Sequence, residues 1–149
     1  MFSQTKSHKT NLFLAFAAAG SVVLLDQITK ILWRSAVVLN TGVSFSWQSG
    51  AGESLTFLLT AGFLVLVAFA SWQLLQPQPK TVALGYGFLL GGGFSNVLDR
   101  WLFGGVRDIW PVPFLPLSNN LADWAIFLAV LLLVLGEIIP MYKHLWNRS

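Results

Sequence analysis

Residues 81–100 read TVALGYGFLLGGGFSNVLDR, and they combine an apolar helix with a polar end. The stretch contains no charged residue before Asp99. About 20 apolar residues in a helix cross the roughly 30 Å hydrocarbon core of a bilayer. An amide, a carboxylate and a guanidinium then follow closely, from Asn96, Asp99 and Arg100. The stretch therefore predicts a transmembrane helix with a polar site at one end.

The composition indicates a membrane protein with a single domain spanning residues 1–149. Of the 149 residues, 55% are hydrophobic and only 10% are charged, whereas soluble domains carry roughly a quarter charged residues. The net charge of +3 is too small and too scattered to suggest nucleic acid as a partner. Cysteine is absent, which excludes disulfides, thiolate catalysis and thiolate metal sites.

Gaps between charged residues predict an all-α integral membrane protein, a bundle of four transmembrane helices. Lys6 and Lys9 before an apolar run resemble a cleaved signal peptide, but DQITK (26–30) continues the first segment on one helical surface and favours a retained span. The predicted spans are residues 11–33, 55–76, 81–99 and 121–140, with segments 34–54 and 100–120 on one face.

The charged residues orient this bundle. Four spans place both tails and the QPQPK turn (76–80) on one side, which has five basic residues against four on the other. This excess favours cytoplasmic tails. Five of the six acids lie at or near the opposite, extracytoplasmic face, whereas both histidines lie in the tails. Chemistry at that face must therefore use neither His nor Cys, and no metal or cofactor is expected.

Each polar cluster at this face has a structural and a functional interpretation. Asp26 and Lys30 are spaced i, i+4 and so lie on one helix face. They can be interpreted as a helix-end ion pair in which Lys30 reaches water, or as a functional pair directed into the bundle. Asn96, Asp99 and Arg100 share a face by spacing, which predicts that Asp99 orients the guanidinium. The preceding glycines, a G-x-x-x-G among them, indicate close helix packing.

The acids near the fourth span also have two interpretations. Asn120 and Asp123 lie on one face at the start of that helix, where they fit a helix cap as well as a site. Asp108 lies in a glycine-started extended segment, either as an exposed loop acid or as part of the site.

Together, carboxylates and three amides (Asn40, Asn96 and Asn120) converge at one membrane depth from four segments. Two carboxylates held close together share one proton, and such a pair can activate water and protonate a leaving amine. The residues alone therefore favour an aspartic peptidase at the membrane surface. Spacing leaves open which two of Asp99, Asp108 and Asp123 form the pair.

Two other functions are less favoured. A small proton- or cation-conducting path requires polar residues through the bilayer, and the second and fourth spans have almost none. A serine–lysine pair would use Lys30 with Ser44 or Ser46, but neither serine has a nucleophile motif around it, and Lys30 is already spaced to pair with Asp26.

Five short motifs, in order, resemble those of the bacterial type II (lipoprotein) signal peptidases. DQITK (26–30) resembles D-Q-x-T-K, NTGVSF (40–45) matches N-x-G-x-x-F, GGGFSNVLDR (91–100) matches G-G-x-x-x-N-x-x-D-R, VRDI (106–109) resembles V-x-D-F, and NLAD (120–123) matches N-x-A-D. Each motif is weak singly, but all five on the expected spans are specific, and they cover most of the chain.

This resemblance implies a membrane aspartyl endopeptidase in the bacterial inner membrane, with its active site near the extracytoplasmic face. It would cut prolipoproteins on the N-terminal side of a diacylglyceryl-modified cysteine, as a monomer in contact with membrane lipid. The implied catalytic pair is Asp108 and Asp123. The implied substrate-binding or structural shell around the pair comprises Asp26, Lys30, Asn40, Gly42, Asn96, Asp99, Arg100 and Asn120.

Some features depart from the family pattern. Ser95, Ile109 and Asn119 replace residues that the family often has as Gly, Phe and an aromatic. The short connection from Lys30 to Asn40 predicts that the extracytoplasmic β-cradle is small or reduced. The second hypothesis is a relative that binds lipopeptide without cutting it, which would differ only in whether Asp108 and Asp123 meet. Five tryptophans near this face are expected mainly as interface anchors: Trp33, Trp47, Trp101, Trp110 and Trp124.

Overall fold

A computed structural model describes residues 2–42, 52–114 and 118–146 of the chain. It consists mostly of four helices: α1 (Phe2–Leu32), α2 (Gly52–Leu74), α3 (Lys80–Phe103) and α4 (Leu121–Trp146). Ser44, Ser46 and Trp47 lie outside the described residues.

The helices match the composition of membrane spans to different degrees. In the described ranges, three segments are long and apolar enough to cross a bilayer: Lys9–Leu32, Glu53–Leu74 and Lys80–Phe103. The apolar part of α4, Leu121–Gly136, is shorter. A largely helical membrane protein is therefore confirmed, and four complete crossings stay a prediction.

Helix α3 lies at the centre and packs against the other three helices. A Cβ atom added at Gly91 would lie 2.6 Å from the carbonyl oxygen of Ala19 in α1, and one added at Gly92 would lie 2.6 Å from that of Ala122 in α4. Gly87 is equally close to α1, at 2.5 Å from the Ala15 oxygen. Glycine therefore lets both neighbours approach the backbone of α3, and the G-x-x-x-G packing prediction is confirmed.

Short strands connect the helix ends at the polar face. Gly104 ends α3 in the left-handed conformation (φ 74°), and its N–H donates to the Arg100 carbonyl oxygen at 3.0 Å. Strand β1 (Val38–Asn40) then pairs antiparallel with β2 (Val106–Asp108). Strands β3 (Trp110–Pro111) and β4 (Ser118–Asn119) form a second pair. The predicted small β-structure is thus present, and it places Asp108 at the end of β2.

The opposite end of the bundle is an apolar core near the connection between α2 and α3. Its buried residues include Ala70 and Leu74 of α2 and Val82 and Tyr86 of α3. Buried Asn11 of α1 donates from Nδ2 to the Gln78 carbonyl oxygen at 3.0 Å, which ties the connection to α1. The polar residues are therefore concentrated at the other end.

Candidate active site

A cluster of four alternating charges lies inside the bundle where α1 and α3 meet β2. The Lys30 ammonium is 2.5 Å from Asp26 Oδ2 and 2.9 Å from Asp99 Oδ2, and all three side chains are completely buried. The Arg107 guanidinium extends the series, with Nη2 2.7 Å from Asp99 Oδ1. Lys30 therefore does not reach water, and that interpretation of the Asp26–Lys30 pair is wrong. Buried charges persist only when paired in this way.

Asp99 does not orient Arg100, contrary to the sequence-based prediction. Its partners are Lys30, Gln27, which donates to Oδ1 at 3.0 Å, and Arg107, which donates from both backbone and side chain. Arg107 also lies over the Phe103 ring, 4.0 Å from its centroid. Neighbouring positions on a helix turn by about 100°, so Asp99 and Arg100 face different elements.

Arg100 instead binds backbone oxygens beside a cavity. Its Nη2 donates to the Gly42 carbonyl oxygen at 2.9 Å, and Nη1 contacts the Asn96 carbonyl oxygen at 3.4 Å. The Gly42 N–H donates to Asn40 Oδ1 at 3.1 Å. Within the described residues, Arg100 Nε and Asn96 Oδ1 are buried without a hydrogen-bond partner. Both residues line the cavity, so a ligand there could satisfy these atoms.

Asp108 is a buried acid held by two amides. It is only 2% exposed, so the exposed-loop interpretation is wrong. Asn40 donates to Oδ2 at 3.1 Å and Asn120 donates to Oδ1 at 2.7 Å. The pKa of Asp108 is raised from 3.8 to about 6, mainly by burial and also by the nearby negative charge of Asp123, against the lowering effect of the two amides.

Asp123 belongs to the first turn of α4, where the cap and the site coincide. Its N–H donates to Asn120 Oδ1 at 3.0 Å, and its Oδ2 accepts from the Asn120 N–H at 3.3 Å. This reciprocal pair is a capping box. The other oxygen of Asp123 accepts from Asn96 Nδ2 at 2.8 Å. Asn120 therefore contacts both Asp123 and Asp108. The helix-cap interpretation is confirmed, and the functional interpretation stays a prediction.

The two acids share a cavity of about 1100 Å³ that lies between α2 and α4 in front of α3. Its polar lining includes Asn40, Asn96, Arg100, Asp108 and Asp123. Most of the remaining lining is apolar, from residues such as Leu58, Phe63 and Leu66 of α2 and Phe127 and Val130 of α4. The arrangement is a pair of carboxylates at one end of an apolar cleft, suited to hydrolysis of an amphipathic substrate.

The signal peptidase (SPase) II family profile matches residues 16–139. This chain belongs to the signal peptidase II family. It is 35% identical over 145 residues to the lipoprotein signal peptidase of Campylobacter jejuni subsp. jejuni serotype O:6 (strain 81116 / NCTC 11828), covering 89% of this chain and 92% of that protein. It is 31% identical over 148 residues to the lipoprotein signal peptidase of Rhodopseudomonas palustris (strain ATCC BAA-98 / CGA009), covering 85% and 89%.

The fold is similar to those of solved bacterial membrane enzymes. One, determined by the in meso method at 2.3 Å resolution, has a TM-score of 0.71 and 20% identity, covering 91% of each chain. Another, at 1.9 Å resolution, has a TM-score of 0.65 and 18% identity, covering 81% of this chain and 90% of that one. At these identities the likeness concerns the fold alone.

In this signal peptidase II chain, the residues expected at the site fall into two groups. Those around the cavity are Asn40, Gly42, Asn96, Arg100, Asp108, Asn120 and Asp123. Those in the buried charge cluster, away from the cavity wall, are Asp26, Lys30 and Asp99.

Sequence reasoning missed Arg107 as a member of the buried charge cluster, and it missed Gln27 and Ser95, which form hydrogen bonds to that cluster. Gln27 accepts from Arg107 Nη2 at 2.5 Å, and Ser95 donates to Asp26 Oδ2 at 2.6 Å. The available signal was position, since Gln27 follows Asp26, Arg107 precedes Asp108, and Ser95 lies one turn before Asp99.

Proposed function

We propose that this protein is a membrane aspartyl endopeptidase that removes the signal peptide from prolipoproteins on the N-terminal side of a diacylglyceryl-cysteine. The observation that carries the proposal is the placement of Asp108 and Asp123 on one cavity, both bonded to Asn120. Membership of the signal peptidase II family and the names of the relatives support the substrate class.

The proposed chemistry uses Asp108 and Asp123 as a pair that shares one proton. The ionised acid takes a proton from a water molecule, which attacks the scissile carbonyl carbon, while the protonated acid donates a hydrogen bond to the carbonyl oxygen. A proton then passes to the amine as the C–N bond breaks, so that the amine leaves neutral. The raised pKa of buried Asp108, about 6, suits a group that exchanges protons near neutral pH. The two titrations belong to the pair, not to either residue.

The shape of the cavity supports substrate entry from the side of the bundle. Apolar side chains of α2 and α4 form its two walls, so an apolar signal helix and acyl chains could occupy the cleft without crossing a polar surface. Asn96 Oδ1 and Arg100 Nε have no hydrogen-bond partner among the described residues, which leaves them available to the N–H and C=O groups of the substrate peptide near the scissile bond. This binding mode favours a substrate that is lipidated and extended at its cleavage site.

The proposed setting is the bacterial inner membrane. Four spans would place both termini in the cytoplasm and the Asp108–Asp123 pair near the extracytoplasmic face. The described hydrogen-bond partners of Asp108 and Asp123 all come from the same copy of the chain, which favours a monomer.

The test is cleavage of a diacylglyceryl-modified prolipoprotein by the purified full chain in detergent or bilayer. Asp108→Asn and Asp123→Asn each keep the side-chain shape and remove the titrating proton. We expect each variant to lose essentially all cleavage while binding the substrate. Glu53→Gln is the matched control, because Glu53 is an exposed acid at the first turn of α2, and it should cut at the wild-type rate.

Three results would contradict parts of the proposal. A wild-type protein that binds lipopeptide without cutting it is a lipopeptide-binding relative. An Asp108→Asn variant that still cuts makes another acid the partner of Asp123. Cation or proton flux through vesicles containing the protein, abolished by the same substitutions, indicates a conducting path instead.

A further inference from the structure

We infer that Lys30 is a positioning residue for the proposed catalytic pair, because its ammonium joins two buried carboxylates that each bind the backbone beside one catalytic acid. The inference rests on the proposed function only for its consequence in cleavage. The effect of Lys30 on the distance between the Asp108 and Asp123 carboxyl groups is measured separately from cleavage.

The first connection runs through Asp99 to Asp108. Asp99 Oδ2, 2.9 Å from Lys30 Nζ, also accepts from the Arg107 backbone N–H at 3.0 Å. Arg107 immediately precedes Asp108 in β2. Because its side chain also reaches Asp99 Oδ1, at 2.7 Å, the carboxylate holds β2 against α3 by both backbone and side chain. The position of Asp99 therefore sets where Asp108 emerges.

The second connection runs through Asp26 to Asp123. Asp26 Oδ2, 2.5 Å from Lys30 Nζ, also accepts from the Ser95 hydroxyl, and Oδ1 accepts from the Ala122 N–H at 3.0 Å. Ala122 immediately precedes Asp123 in the first turn of α4, where backbone N–H groups lack intrahelical partners. An acid on α1 thus fixes the start of α4.

Lys30 connects the two buried carboxylates, because among the described residues it is the cation that pairs with both Asp26 and Asp99. Arg107 pairs with Asp99 alone among them. Without the ammonium, two fully buried carboxylates would face each other, and a buried charge that loses its partner must move, take up a proton or admit water. Either acid moving shifts the backbone beside one catalytic aspartate. A displacement of about 1 Å at reacting groups can cost roughly 100-fold in rate.

The decisive measurement is the titration of the catalytic pair itself. The chain has only four aspartates, so ¹³C-carboxyl labelling of aspartate in the full-length detergent-solubilised protein gives a small set of NMR signals, assigned with Asp108→Asn and Asp123→Asn. Two nearby carboxyls titrate with well-separated apparent pKa values because each charge opposes the other. Their separation therefore reports their distance, whether or not the protein cuts.

Two variants test the link. Lys30→Met removes the cation, and Lys30→Met/Asp99→Asn removes one charge of each sign, so that the second should fold even if the first does not. We expect the two apparent pKa values of the pair to move toward each other in both variants. We also expect kcat for prolipoprotein cleavage to fall roughly 100-fold with KM nearly unchanged. Lys80→Met, at the exposed start of α3, is the control and should change neither.

The outcomes separate positioning from simpler roles. The charges near the pair are Lys30 and Arg100, with Asp26 also acting on Asp123, so losing the Lys30 charge without any movement of the acids would raise both apparent pKa values and leave their separation nearly unchanged. That result overturns the inference. So does a folded double variant with wild-type titration and wild-type kcat, because Lys30 would then serve stability only. If wild type does not cut but the separation still narrows, the positioning holds and the proposed function fails.

Discussion

Replacing Asn120 by serine separates the two tasks of this side chain. Asn120 Oδ1 accepts from the Asp123 N–H at 3.0 Å, which caps α4, and its Nδ2 donates to Asp108 Oδ1 at 2.7 Å. Serine is an equally good cap residue. Its shorter side chain lacks the second amide donor, so Asn120→Ser should keep the cap and lose the bond to Asp108.

The size of the effect follows from the charge on the acceptor. Hydrogen bonds to charged groups contribute about 1.5–3 kcal/mol, and 1.36 kcal/mol corresponds to one pKa unit. The lost donor stabilised the ionised form of Asp108, so its pKa should rise above about 6 by roughly 1–2 units. The acidic limb of the kcat/KM profile should therefore move to higher pH. The cap should change the free energy of unfolding by less than about 0.5 kcal/mol.

The assay is prolipoprotein cleavage across the pH range, with thermal unfolding of the same preparations. Asn120→Ala is the comparison, because alanine loses both the bond and the cap, and it should cost about 1 kcal/mol more stability than serine. The reasoning is refuted if Asn120→Ser has a wild-type acidic limb. It is also refuted if serine and alanine destabilise equally.

Two further predictions concern stability. The folded protein binds the Asp108 proton more tightly than the unfolded chain does, because folding raises the pKa of Asp108 from 3.8 to about 6. The free energy of unfolding of the wild type should therefore fall by up to roughly 2–3 kcal/mol as the pH rises from about 4 to about 6. Asp108→Asn should remove this pH dependence, which thermal midpoints measured at about pH 4 and pH 8 will show. A midpoint gain equal at both pH values would argue against it. Gly91→Ala should destabilise by about 1–3 kcal/mol, because its Cβ meets the Ala19 backbone at 2.6 Å. Gly20→Ala, with nothing within 4 Å, should be neutral or slightly stabilising in the same melts, and equal effects would contradict the packing argument.

The helices were predictable because charge gaps and prolines mark them directly. The predicted second and third spans, 55–76 and 81–99, overlap in sequence with the observed helices Gly52–Leu74 and Lys80–Phe103. The partner of Asp99 was not predictable, since spacing tells only which residues share a helix face. Gly104 turns the chain after α3 and returns Arg107 to Asp99, and this contact depends on how the strand folds back. The resemblance named Asp108 and Asp123, and the structure adds that Asn120 joins them.

Weighing a structural role against a functional one was the harder problem. For Asn120 and Asp123 the two roles are compatible, because the cap that starts α4 also places the Asp123 carboxylate on the cavity. For Lys30 the choice between solvent and bundle was settled by burial, which depends on α3 and its glycines rather than on the spacing of Asp26 and Lys30. Local spacing cannot report what a distant helix covers.

The distribution of charged residues also explains why the proposed catalytic pair would hold one proton. In the buried cluster, Asp26 and Asp99 are balanced by Lys30 and Arg107. That leaves Arg100 as the cation on the described cavity wall beside Asp108 and Asp123. Uncompensated buried charge is costly, so we expect one carboxylate of the proposed pair to be ionised and the other protonated. This is the state in which one acid can take a proton from water while the other donates to the carbonyl oxygen.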